Sequence, residues 1–126
     1  YVGHLHDDMS LRALYSAADA LVLPSRQDNL PNTGLEAHAC GTPVVAFKIG
    51  GLPDIVKDGI TGALAEPFEP LSLAASIKFV LENQQRREKF RTSARERAVR
   101  LWSENRIASL YADYYKMAIS SYTKRE

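Results

Sequence analysis

Two carboxylates, Asp28 and Glu36, stand with seven residues between them, around the run Leu30-Pro31-Asn32-Thr33-Gly34. Pro31 lacks an amide hydrogen and disfavours helix in the residue before it, so a helix that includes Glu36 must start after it. Asp28 is then left in a loop and Glu36 falls in the first turn of the helix. Asn32, Thr33 and Gly34 form the helix N-terminus, where free amides and the helix dipole attract phosphate. Gly34 removes a side chain that would crowd a ligand against those amides. The product is a phosphate-sized pocket with a carboxylate on either side, each able to accept hydrogen bonds from hydroxyl groups. A nucleotide sugar carries the matching parts: ribose hydroxyls, a diphosphate and sugar hydroxyls. Two local alternatives stand beside this reading. Thr33-Gly34-Leu35-Glu36 matches a capping box, in which Glu36 reaches back to the Thr33 amide, and Asp28-Asn29 suits an ordinary turn.

The elements around the pocket follow from apolar periodicity. Leu21-Val22-Leu23, read as part of a strand from Ala20, and the run Pro43 to Phe47 are continuous apolar segments, typical of parallel strands covered on both faces. The helix between them stops at Cys40-Gly41. Strand, loop, helix and strand make a βαβ unit, and ligands of open parallel sheets bind where the strands end. Upstream, Tyr1 to Leu5 suits a strand end, and Ser10 suits the N-cap of a helix bearing Leu11, Leu14, Tyr15 and Ala18. His4, His6, Asp7 and Asp8 read as a loop with a helix cap rather than a metal site. Downstream, Gly50-Gly51 permits close backbone approach, Pro53 to Val56 makes one helical turn, and Thr61 to Ala65 forms a short strand. Three helices follow: Leu71 to Glu82, a charged helix with Phe90, Ala94, Ala98 and Leu101 as its stripe, and a last helix after Ser103. Arg86 to Arg100 interleaves cations with Glu88 and Glu96, the pattern of a solvated face. The tail from Tyr122 is expected to fray. The fold class is α/β, a Rossmann-like parallel sheet flanked by helices, with an all-helical C-terminal segment.

The 126 residues suit one domain, and a net charge of +1 gives no strong attraction to nucleic acid. A single cysteine, Cys40, excludes an internal disulfide framework and any multi-cysteine metal site. No GxGxxG follows a strand, which argues against a nicotinamide-dependent oxidoreductase. No apolar run approaches a membrane span, and the start carries no signal-peptide pattern. With no initiator methionine before Tyr1, the chain reads as part of something longer.

The stretch PSRQDNLPNTGLEAHACGTPVVAFKIGGLPDIVKDGITGAL resembles the donor-binding signature of GT-B glycosyltransferases of the family 4 type, and the resemblance runs from Tyr1-Val2-Gly3 to the Trp102-Ser103 region. It implies the C-terminal half of a GT-B fold: a donor-binding domain over 1–102, lacking its N-terminal part, and a crossover helix with a tail over 103–126. It further implies retaining transfer of a sugar from a nucleotide-diphosphate donor, with UDP the commonest base, without a metal or other cofactor. Glu36 matches the glutamate that holds the ribose hydroxyls. Asp28 takes the place of the motif's first glutamate, one methylene shorter, and is expected to contact the donor sugar as the catalytic carboxylate. Leu30, Pro31, Asn32, Thr33 and Gly34 match the segment that approaches the diphosphate and sugar, and Gly3, His4 and Leu5 the segment near the base. The Asn29-Leu30-Pro31-Asn32 run departs from the commoner Gly-Phe-Gly form. The family's N-terminal acceptor domain and its diphosphate-neutralising Arg/Lys pair are not in this sequence, so the chain alone is expected to be inactive. The parent would work in the cytoplasm, in polysaccharide or glycoconjugate synthesis, with peripheral contact at the inner face of a membrane. Tyr111, Tyr114, Tyr115, Met117 and Tyr122 on the last helix would favour self-association. A stand-alone nucleotide-sugar-binding module and a GT-B-type epimerase are the alternatives.

Overall fold

The computed structural model describes residues 2–123. In chain order its elements are α1 (Asp8–Ala17), β1 (Leu21–Leu23), α2 (Asn32–Ala39), β2 (Val44–Phe47), α3 (Leu52–Ile55), β3 (Gly62–Ala65), α4 (Pro70–Leu81), α5 (Gln84–Trp102) and α6 (Glu104–Thr123). The strands form a parallel sheet in the order β1-β2-β3, with Leu21 opposite Val44 and Val44 opposite Gly62. The period-two alternation of a strand explains the two cores. Val44 and Ala46 face Tyr15, Ala37, Leu52 and Ile55, the side chains of α1, α2 and α3. Val45 faces the other way, toward Val80 of α4 and Phe90 of α5. Every residue of β2 is buried, as its unbroken apolar run requires. This agrees with the expected Rossmann-like sheet flanked by helices.

Two N-terminal expectations are corrected. Val2 to Leu5 is not a strand, because Gly3 sits at φ +73°, outside the extended region that a ladder needs. The N-cap of α1 is Asp7 rather than Ser10: its Oδ1 accepts the Ser10 N–H at 2.8 Å, which holds the Asp7 carboxyl below the usual range. The tail expected to fray falls partly outside the described residues, and Tyr122 still belongs to α6.

The charged helix α5 differs most from expectation. Its arginines are not simply a solvated face; they close the C-termini of four other helices. Arg91 donates to the Ser16 and Ala18 carbonyls at the end of α1, both at 2.9 Å. Arg95 donates to Ala39 at the end of α2. Arg97 donates to Asp54 at 2.7 Å and Ile55 at 3.0 Å at the end of α3. Arg86 and Arg87 reach the Phe79 and Leu81 carbonyls in the last turn of α4. The last carbonyls of a helix lack intrahelical partners and carry its negative dipole end, so each cation contributes about 0.3–1 kcal/mol in such a place. This bracing leaves the N-terminus of α2 on the opposite side, toward the strand ends. Beyond α5, helix α6 leaves Tyr111, Tyr114, Tyr115 and Met117 more than 60% exposed.

Candidate functional site

Three loops meet beyond the C-terminal ends of the strands: 24–31 after β1, 48–51 after β2 and 66–69 after β3. The first carries Asp28 and Leu30, and it is shaped by backbone contacts. The Gly51 N–H donates to the Asp28 carbonyl at 3.2 Å. A Cβ at Gly50 would lie 1.9 Å from the Asp28 carbonyl oxygen, and one at Gly51 would lie 1.5 Å from that of Asn29. The paired glycines are therefore the surface on which the loop rests. Only Gly50 uses a positive φ, +49°; Gly51 is needed for space alone. Ser25 Oγ donates to Asp28 Oδ2 at 3.4 Å, so the half-buried carboxylate is steadied from its own loop.

Helix α2 starts where Pro31 requires, with Pro31 as an N-cap that makes no side-chain hydrogen bond. The Pro31 carbonyl accepts the Gly34 N–H at 3.0 Å. This narrows the expected set of free amides to Asn32 and Thr33, which have no partner among the described residues. Gly34 also plays a different part from the one expected. A Cβ there would meet Ile55 at 3.1 Å and Leu23 at 3.3 Å, so its missing side chain lets α2 pack on the core rather than clearing room for a ligand. At the other end Gly41, at φ +73°, turns the chain while its N–H caps the His38 carbonyl at 2.9 Å.

Glu36 is the fifth residue of α2, just past the first turn in which it is expected. A capping box is not formed. Thr33 lies inside the helix, and Glu36 Oε2 accepts the Tyr15 hydroxyl at 3.1 Å, a partner on α1. With burial and this neighbouring carboxylate both disfavouring the phenolate, the Tyr15 pKa is pushed up to about 12. Glu36 and Tyr15 line a cleft of about 600 Å³ between α1 and α2, together with Asp8, Leu11, Arg12 and Cys40. Glu36 lies four positions after Asn32 along the helix, a rise of about 6 Å. The open amides and the carboxylate thus sit one turn apart along the same helix. Gly3, His4 and Leu5 lead directly into α1, whose first residues line that cleft. His4 and His6 stack with ring centroids 6.2 Å apart. Among the described residues no group of three or more His, Cys, Asp or Glu side chains is gathered to hold a metal.

Sequence reasoning missed Tyr15 as the partner of Glu36, because a contact between α1 and α2 has no local signal. A tyrosine in an apolar helix stripe that also carries Leu11 and Leu14 reads as core. Replacing Tyr15 by phenylalanine is expected to cost about 0.5–1.5 kcal/mol of stability. It should also remove from the ultraviolet titration of the chain the Tyr15 phenol, whose pKa is pushed up to about 12.

Comparison with known proteins adds family evidence. Residues 1–97 match the family model described as glycosyl transferases group 1. A D-inositol 3-phosphate glycosyltransferase from Geodermatophilus obscurus is 44% identical over 79% of this chain, which spans 22% of that relative. The sucrose-phosphate synthase of Thermosynechococcus elongatus superposes with a TM-score of 0.85 at 32% identity, covering 95% of this chain and 30% of that one. Anabaena HepE, solved in complex with UDP-glucose, superposes with a TM-score of 0.77 at 28% identity, covering 85% of this chain and 30% of that one. The chain thus spans less than a third of the length of each of these proteins.

Proposed function

Because the chain belongs to the glycosyl transferases group 1 family, we propose that it forms the nucleotide-sugar-binding part of a retaining glycosyltransferase. The Glu36 carboxylate accepts hydrogen bonds from the ribose hydroxyls. The Asn32 and Thr33 amides, at the positive end of the α2 dipole, receive the diphosphate. Asp28, with Leu30 and Pro31 beside it, contacts the sugar, and Gly3, His4 and Leu5 border the base. The observation that carries the reading is the state of Glu36. Its carboxylate caps nothing and is aimed at a cleft by Tyr15, one turn from two unpartnered amides. UDP is the proposed nucleotide, supported by the relative solved with UDP-glucose.

In transfer, charge develops on the diphosphate as the bond to the sugar breaks, and preoriented donors at that position stabilise it. The α2 amides are such donors, and they need no reorganisation. The acceptor and further cations would come from another domain, and without them the chain is inactive. A role in polysaccharide or glycoconjugate synthesis on the cytoplasmic side is part of the same reading. No helix of the described residues is long and apolar enough to cross a membrane.

Isothermal titration tests the reading with UDP, GDP and ADP, free and as glucose conjugates. UDP and UDP-glucose are expected to bind, and Glu36→Ala should weaken both by about tenfold or more, since a lost charged hydrogen bond costs roughly 1.5–3 kcal/mol. An intact polypeptide that binds none of the six, or binds them unchanged after Glu36→Ala, would sink the assignment.

A further inference from the structure

Phe68, in the loop after β3, is the only residue other than glycine with a positive φ among the described residues, +63°. That region is disfavoured by any side chain with a Cβ, and a glycine would occupy it without strain. Burial does not explain why a large ring is kept there, because half of Phe68 remains exposed. The surrounding loop holds the conformation: the Glu66 N–H donates to Ser72 Oγ at 2.9 Å, and the Glu69 N–H to the Glu66 carbonyl at 3.3 Å. Beneath it lies the buried ring of Phe47, with centroids 6.2 Å apart. The Arg26 guanidinium stands over the Phe68 ring at 5.3 Å and makes no ion pair among the described residues. Strain kept in a half-exposed aromatic residue, beside a cation with no carboxylate partner, is the pattern of a binding surface rather than of packing.

The position of this pair relative to the rest of the site follows from the loops. Taken in strand order, the path runs from Glu36 in the α1–α2 cleft to the α2 N-terminus, then to Asp28 in the 24–31 loop that rests on Gly50-Gly51. It ends at Arg26 of the same loop, which stands over Phe68 in the loop after β3. If ribose and diphosphate occupy the first two places, as proposed above, the next group along the path is the sugar of the donor. We infer that Arg26 and Phe68 form a platform for that sugar: the ring packs against its C–H face, and the guanidinium donates to its hydroxyl oxygens. The pair would then discriminate among donor sugars without touching the nucleotide.

The inference rests on the nucleotide-sugar reading, and one titration separates the two. UDP and UDP-glucose are titrated into the intact polypeptide that carries this segment, unaltered and as Phe68→Gly, Phe68→Leu and Arg26→Ala. Affinity for UDP is expected to stay within about twofold in every variant. UDP-glucose should bind about tenfold more weakly after Phe68→Gly or Arg26→Ala, the scale of one aromatic or charged contact. Phe68→Leu keeps apolar bulk but not the flat ring, and should match Phe68→Gly. Parallel weakening of UDP and UDP-glucose would reduce the pair to a loop staple and overturn the platform. So would unchanged affinity for UDP-glucose, including the case where only an acceptor's KM moves. Failure of the unaltered protein to bind UDP, GDP, ADP or any of their glucose conjugates would instead remove the nucleotide-sugar reading itself, and the platform with it.

Discussion

Gly51→Ala is expected to abolish measurable nucleotide-sugar binding and to destabilise the chain by more than about 3 kcal/mol. The added Cβ would lie 1.5 Å from the Asn29 carbonyl oxygen, inside any tolerable contact, and the neighbouring atom is backbone rather than a side chain that can rotate away. Relief requires the 24–31 loop to lift off the 48–51 loop. That movement breaks the hydrogen bond from the Gly51 N–H to the Asp28 carbonyl and displaces Asp28 itself. Because the α2 N-terminus follows within four residues, the amides proposed to meet the diphosphate are carried along. Urea unfolding measures the stability and titration with UDP-glucose the binding. Glycine at position 51 is not required for its dihedral angle, since its φ is −87°. The effect should therefore scale with side-chain volume, with serine resembling alanine and valine worse than either. A variant that folds and binds like the unaltered chain would contradict the contact.

The second large effect concerns His38, which is fully buried on α2 with both ring nitrogens lacking a hydrogen-bond partner among the described residues. The Trp102 ring lies 6.3 Å away, and the Arg97 guanidinium stands over that ring at 5.6 Å. Burial, with the positive charge of Arg97 adding to it, lowers the His38 pKa from 6.5 to about 4. The sign of the consequence is fixed by linkage. Above pH 6.5 the imidazole is neutral whether the chain is folded or not. Between 6.5 and about 4 the unfolded chain takes a proton and the folded chain does not, so stability falls through this window. The loss reaches roughly 3 kcal/mol at its lower end, at 1.36 kcal/mol per unit. His38→Leu removes both the titration and two unsatisfied polar atoms. It is expected to stabilise the chain by about 1–3 kcal/mol at neutral pH. The gain should grow to several kcal/mol near pH 4, because the variant lacks the acid-sensitive window. Urea unfolding of both chains across that range measures it. If the two stability curves stay parallel between pH 7 and pH 4, His38 is not the group responsible.

Much of the architecture was legible because its causes are local. Unbroken apolar runs at Leu21–Leu23 and Val44–Phe47 mark strands with no solvated face, and Pro31 and Gly41 bracket α2 through backbone geometry alone. The helix boundaries near Leu71, Gln84 and Ser103 came from the same kind of punctuation. The positions of Asp28 in a loop and Glu36 on a helix were legible for that reason too. The errors have a common cause as well. Ser10 suits an N-cap by residue type, as does Asp7, and only the backbone trace shows that Asp7 takes the place. From the sequence Gly34 reads as room for a ligand, since sequence cannot say that Ile55 and Leu23 would meet its Cβ.

The sequence by itself determined a parallel α/β unit with a helix N-terminus at its strand ends, one carboxylate in the loop before that helix and one on it, since proline, glycine and apolar spacing act within a few residues. Only the tertiary structure decided which atoms those groups meet. It gave Glu36 to Tyr15, 21 residues away, instead of to a cap. It also turned a charged helix into a brace, with Arg91 reaching carbonyls 73 and 75 residues back. The physical reason is the same in both cases. A carboxylate or guanidinium can satisfy its hydrogen bonds with many partners, so its choice is made by whichever donor or carbonyl the packed core brings within about 3 Å.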